Sequence, residues 1–286
     1  MSSWSIALLG AIAGFTIFLG LPFGRVRNPS LGLRVFLNGM AIGILLFLLW
    51  DVLAHAVEPV EEALTEVALD QSGTWARFTE LAATVIVGVV VGLMSLVYYD
   101  RWMANRRTRT PATNFGPGAA AAAELSTAAT SNTVDTARRL ALMIAVGIGL
   151  HNFSEGLAIG QSAASGEISL ALLLIIGFGL HNATEGFGIV APLPGGQDRP
   201  GWGFLALLGL IGGGPTFVGT VIGQAWVNES VMILFFALAA GSILYVVMEL
   251  LNVGRALASK QVVTWGILLG LFLGFATDFI LVAAGA

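Results

Sequence analysis

His151-Asn152-Phe153-Ser154-Glu155-Gly156 and His181-Asn182-Ala183-Thr184-Glu185-Gly186 repeat one hexapeptide pattern thirty residues apart, each inside a long apolar run. In a helix, residues i and i+4 lie one turn apart on the same face. Each copy therefore aims an imidazole and a carboxylate in one direction, and such a face can grip a metal ion. Two such helices supply four protein ligands: His151, Glu155, His181 and Glu185. The chain has three histidines, and two of them are here. Ionisable groups inside apolar spans are costly and mark function.

The runs around the motifs are those of a membrane protein. Of 286 residues, 56% are hydrophobic and 10% charged, with a mean hydropathy of +0.87. Charge that sparse cannot solvate a soluble surface of this size. Runs of roughly 20 apolar residues, the length that crosses the hydrocarbon as helix, predict eight spans: 3–22, 33–57, 78–99, 138–162, 168–193, 202–225, 229–253 and 261–284. They lack the period of two that a closed barrel needs. The fold expected is an all-α integral membrane protein forming a single domain over 1–286. Its first span has no basic n-region and exceeds a signal-peptide core, so it is read as retained.

Basic residues fix the orientation. Arg25, Arg27 and Arg34 fall in the first connection, Arg101, Arg106, Arg107, Arg109, Arg138 and Arg139 in the third, Arg199 in the fifth, and Arg255 and Lys260 in the seventh. Twelve of the thirteen Lys and Arg then share one side, and only Arg77 is opposite. The positive-inside rule makes the crowded side cytoplasmic, with both termini outside. The net charge of −4 gives no nucleic-acid footprint. Without cysteine, thiolate metal sites and disulfides are excluded.

Two connections are long. The third, about 105–137, is basic at each end around an alanine tract and a Ser/Thr-rich stretch, and reads as a flexible cytoplasmic loop in which the alanines could form a short helix. The second, about 58–76, carries Glu58, Glu62, Glu66 and Asp70 at i+4 steps, one acidic stripe on a helix continuing beyond the membrane. It is either a solvated face or a lure that concentrates cations at an outer mouth.

Spans four and five are joined by a short turn around 162–167 and so run antiparallel. His151 and His181 each lie about thirteen residues into their helices, roughly 20 Å along, near the midplane. Opposite directions pair Glu155 with His181 at one level and His151 with Glu185 at the other. This inverted arrangement places a site where secondary transporters bind substrate. Asn152 and Asn182, about 100° around from the histidines, can offer carbonyl oxygens to a second ion or to the path. Gly156 and Gly186 remove bulk so that helices approach closely. The plainer alternative is that His and Glu merely hold the bundle together. Duplication at matched depth argues against it, because two facing carboxylates in low dielectric need protons or a cation. Nitrogen and oxygen ligands suit Zn²⁺, Fe²⁺, Mn²⁺ or Cd²⁺; two imidazoles argue against Mg²⁺ or Ca²⁺.

Other polar residues in the spans signal less. Asp51 and His55 form another i, i+4 pair, either an entrance site or an ordinary structural pair. Glu249, near the cytoplasmic end of span seven, is either an exit-side ligand or the partner of an arginine such as Arg139. Asp278 has no partner legible in the sequence. Gly212-Gly213-Gly214-Pro215 in span six either packs closely on spans four and five or forms a hinge.

Eight spans, a long third loop and His-Asn-x-x-Glu-Gly in spans four and five resemble the ZIP (Zrt/Irt-like) family of divalent metal transporters. Ala239-Ala-Gly-Ser-Ile-Leu-Tyr-Val-Val247 is similar to its prokaryotic GufA-like branch. The resemblance implies transport of a divalent transition metal towards the cytoplasm across a prokaryotic inner membrane, with the metal as substrate and no cofactor. It further implies a binuclear-type centre between spans four and five, a homodimer, and elevator-like movement of a four-helix bundle against a scaffold. Carried over, the ligands are His151, Glu155, His181 and Glu185, with Asn152 and Asn182 nearest any second ion. Three departures stand out. Ser154 and Thr184 replace a proline usual before the motif Glu. Gly214-Pro215 replaces a Glu-Pro pair whose Glu helps bind a second ion, which predicts a mononuclear site. The cytoplasmic loop lacks the histidines of many members, so no metal sensing is expected there.

Rival readings are an intramembrane metalloenzyme or a metal receptor that does not translocate. The Glu-x-x-His spacing of di-iron bundles and the His-Glu-x-x-His of zinc hydrolases are both absent, as is a nucleotide-binding P-loop.

Overall fold

The computed structural model describes residues 2–26, 30–69, 72–107, 119–166, 168–193, 198–225, 228–256 and 260–283. Its eight α-helices are α1 (Ser3–Phe15), α2 (Leu31–Ala68), α3 (Trp75–Arg107), α4 (Ala119–Ala164), α5 (Ile168–Val190), α6 (Trp202–Ala225), α7 (Glu229–Ala256) and α8 (Lys260–Ala283). No strand occurs among the described residues. Seven segments are long and apolar enough to cross a membrane: α1 with its continuation to Arg25, and all or most of α2, α3, α4, α6, α7 and α8. The remaining helix, the 23-residue α5, is about 34 Å long and packs among α1, α2 and α4.

The predicted spans are found, with three differences. The first does not stay α-helical to residue 22: it turns into two 3-10 segments, Thr16–Leu19 and Leu21–Arg25. The change follows the close contact of Gly20 with α5, where a Cβ would lie 2.5 Å from the Ala183 carbonyl oxygen, and Pro22 opens the second segment. Over 105–137, where a flexible loop was expected, the described backbone is helical at 105–107 and again from Ala119, where α4 begins. Residues 108–118 of that loop lie outside the described residues. α2 continues past the apolar run to Ala68, as the acidic stripe suggested, although Asp70 is outside the described residues. On that extension Glu66 meets Arg77 at 2.8 Å, and Arg77 also reaches Glu229 at 3.1 Å. Arg77 thus joins the ends of α2, α3 and α7.

The helices sort into two groups of four. α1, α4, α5 and α6 pack on one another, and so do α2, α3, α7 and α8; the groups meet chiefly through α4 on α7 and α2 on α5. Glycines set the spacing inside each group, as close helix packing in lipid requires. A Cβ on Gly156 or Gly160 would fall within 2.4 Å of an α6 carbonyl oxygen, and one on Gly43 would lie 2.1 Å from an α8 carbonyl oxygen. α4 is the most enclosed of the candidate spans, as a helix at the centre of a bundle is. That position carries the first motif into the core.

Candidate metal centre

α4 and α5 bring the four ionisable motif residues together. His181 Nε2 and Glu155 Oε1 are hydrogen-bonded at 2.7 Å. His151 Nε2 lies 2.8 Å from Glu185 Oε1 and 4.0 Å from Glu155 Oε1. The pairs cross between helices, one His and one Glu at each level. His151, Asn152 and Asn182 are fully buried, and Glu155 and Glu185 expose no more than 3%. Among the described residues no three His, Asp or Glu side chains form a finished metal-binding group; the arrangement is two linked pairs.

These pairs do not use up their polar atoms. His151 Nε2 and Glu185 Oε1 are in ion-pair contact at 2.8 Å, but neither atom has a hydrogen-bond partner. Among the described residues ten buried side-chain nitrogen or oxygen atoms lack a hydrogen-bond partner, and eight belong to the two hexapeptides: two each from His151 and Glu185, one each from Asn152, Ser154, Glu155 and Asn182. Native proteins leave few such atoms, and each calls for an explanation. A cluster of buried nitrogen and carboxylate oxygen donors has the chemistry of a cation site.

The two asparagines are fixed in matching ways. Asn152 Nδ2 donates to the Gly212 carbonyl of α6 at 2.9 Å, and Asn182 Nδ2 donates to the Ala13 carbonyl of α1 at 3.2 Å. With their amides tied down, both Oδ1 atoms remain buried and unpartnered. Thr184 Oγ1 donates back to the His181 carbonyl at 2.6 Å, a local bond within α5. Gly156 and Gly186 do serve close packing, but not between α4 and α5. Gly156 faces Thr216 of α6, and Gly186 faces Ile17 and Gly20 of the first span.

The outlying candidates fall elsewhere. His55 Nδ1 bonds the Asp51 carbonyl oxygen at 2.9 Å and lies 3.6 Å from the Asp51 carboxylate; its ring packs 5.6 Å from Phe236. Asp51 is near enough to His181, and to Asp278 of α8, for their charges to interact. Arg139 pairs with Asp100 of α3, not with Glu249, because α3 presents its carboxylate directly to the guanidinium. Glu249 is half-buried nearby and interacts with both. Gly214 does not face the site. A Cβ there meets nothing within 4 Å, and it shares a helical stripe with the exposed Leu207, Leu210, Val218 and Val221. Gly212 and Gly213 instead pack on Ile17 and Gly14, so α6 runs through Pro215 as one helix and the glycine run serves packing.

Sequence reasoning missed the acceptors Ala13 and Gly212, because a backbone carbonyl has no signature of its own. It also missed the fully buried, unpartnered hydroxyl of Thr216, whose only signal was a lone hydroxyl next to a glycine run.

Residues 119–281, more than half of the chain, match the sequence profile of the ZIP zinc transporters. The chain belongs to the ZIP zinc transporter family. No curated protein matches it. The matched region takes in α4 to α8 and both hexapeptides, while α1 to α3 precede it. As a ZIP protein, the chain is a membrane transporter of divalent metal ions.

Proposed function

We propose that this ZIP transporter, of the GufA-like branch, carries a zinc-like transition metal ion towards the cytoplasm by alternating access. In this reading His151, Glu155, His181 and Glu185 are the ligands, and Asn152 and Asn182 offer their Oδ1 atoms beside them. The supporting observation is the concentration of buried, unpartnered donor atoms in the two hexapeptides. Binding exchanges each imidazole–carboxylate contact for two contacts to the ion. Two carboxylates offset the charge of one divalent ion, so one tightly bound ion per protomer is expected. Asp51 and His55 lie on the outer approach and Glu249 on the inner one. The protein works as a homodimer in a prokaryotic inner membrane with both termini outside.

Uptake into proteoliposomes loaded with a zinc-sensitive dye tests this reading. Wild type should raise the internal signal, and Glu185→Ala should abolish it. Zinc binding without uptake would favour a receptor and overturn transport.

A further inference from the structure

A cavity of about 100 Å³ lies where the two helix groups meet, at the end of the molecule that carries Arg25 and Arg34. Phe23, Leu37, Phe187 and Val190 are among its apolar walls, and Arg34 and Asn38 are its polar lining. Phe23 and Phe187 meet edge to face at 4.6 Å. Arg34 and Asn38 stand one turn apart on the same face of α2. Arg34 spends one donor on the Leu193 carbonyl at 2.9 Å, and a guanidinium has five. Asn38 is 1% exposed; its Nδ2 donates to the Leu250 carbonyl at 3.0 Å, while its Oδ1 is buried without a partner. The cavity therefore combines spare cationic donors, one unused acceptor and apolar walls. Its depth is marked by Arg25, whose guanidinium lies 4.7 Å over the exposed ring of Trp202. Tryptophan and arginine gather at the headgroup level of a bilayer.

We propose that this cavity binds a phospholipid of the surrounding bilayer, one whose headgroup carries a hydrogen-bond donor as well as its phosphate. Arg34 takes the phosphate in charge-assisted hydrogen bonds. Asn38 Oδ1 accepts from a headgroup hydroxyl or ammonium, and the aromatic and aliphatic walls take the start of an acyl chain. A free phosphate would leave those walls unused, and a headgroup without a donor would leave Asn38 unpaired at a cost. The site also bridges the seam: Leu37 belongs to one helix group, and Phe23 and Phe187 to the other. Phe187 is two residues past Glu185, so the lipid rests on the helix that carries the second motif.

Native mass spectrometry of the purified full chain, titrated with phosphatidylglycerol or phosphatidylcholine of the same acyl chains, tests the proposal. Both lipids carry phosphate, but only phosphatidylglycerol has headgroup hydroxyls. We expect phosphatidylglycerol to bind about tenfold more tightly. Arg34→Gln, which removes the partner of a phosphate both lipids carry, should weaken both, and Asn38→Leu should bring phosphatidylglycerol down to the phosphatidylcholine level. Leu37→Trp, which fills the cavity and leaves Arg34 in place, should weaken both lipids. Equal affinities in the wild type, a preference that survives Asn38→Leu, or lipid binding unchanged by both Arg34→Gln and Leu37→Trp would overturn the assignment. So would displacement of the lipid by millimolar inorganic phosphate, which would identify a free-anion site instead.

Discussion

Glu155→Gln tests the proposed His–Glu site most directly, because Glu155 serves both pairs. Its Oε1 lies 2.7 Å from His181 Nε2 and 4.0 Å from His151 Nε2, and its Oε2 is buried without a partner. The amide keeps the shape and removes the charge. A divalent ion about 4 Å from the lost charge forfeits roughly 8 kcal/mol of gross attraction at an effective dielectric of about 20. Much of this is offset, since the carboxylate must give up its imidazole partner and is already desolvated before the ion arrives. A net loss of about 3 kcal/mol is expected, or about two orders of magnitude in Kd. Calorimetric titration of the purified protein with zinc measures it. Asn182→Ala is the companion variant: it breaks the bond to Ala13 but removes no charge, so it should weaken zinc binding less than about tenfold. Zinc affinity within a factor of about three of wild type in a folded Glu155→Gln protein would remove Glu155 from the ligand set, and the shared site with it.

Two further outcomes follow from the same geometry. Ligation needs neutral imidazole and ionised carboxylate, so protons compete with the ion; zinc affinity should fall as pH is lowered, and binding should release protons. Titrations in buffers of different ionisation enthalpy read that release, and heats that coincide after correction for metal–buffer binding would mean there is none. A Cβ at Gly156 would sit 2.2 Å from the Thr216 carbonyl oxygen, backbone that cannot swing aside. Gly156→Ala should therefore destabilise by about 1–3 kcal/mol, while Gly214→Ala, which meets nothing within 4 Å, should not lower the unfolding temperature. Equal loss of thermal stability in the two variants would contradict the close α4–α6 contact.

The spans and the four ionisable candidates were legible because each rests on a pattern within one helix. Run length gives a span, and i, i+4 spacing puts His151 with Glu155 on one face without any knowledge of the neighbours. What surrounds that face was less legible. In lipid, the bundle-facing and bilayer-facing sides of a helix are both apolar, so composition does not say where Gly214 points or that Gly156 meets α6. The same ambiguity left Glu249 open between an exit-side ligand and a partner for Arg139, which pairs with Asp100 of α3. The break after Phe15 was hidden too. It depends on contacts of Gly20 and Ala13 with α5, which the first span's own residues do not announce.

Gly214 also changes the argument about ion number. A missing carboxylate at Gly214 looked like the loss of a ligand from the site. On the exposed stripe of α6, a glutamate there would project away from the His–Glu pairs, so it cannot supply the charge a second ion needs. The reason to expect one tightly bound ion now lies in the site itself. Glu155 and Glu185 are the carboxylates that the motifs bring into contact with the histidines, and the remaining unpartnered oxygens of Asn152, Asn182, Ser154 and Thr216 are neutral. A second divalent ion would add two positive charges that no further motif carboxylate meets, at a dielectric where repulsion over a few ångströms is worth several kcal/mol. Asp51, whose charge reaches Glu155 and His181, brings only one negative charge. All four ionisable candidates, both asparagines and the carbonyls that hold them belong to one helix group, α1, α4, α5 and α6. Movement of that group as a unit against α2, α3, α7 and α8 would keep this donor set intact. Separation of α4 from α5 would instead break the His181–Glu155 and His151–Glu185 contacts together.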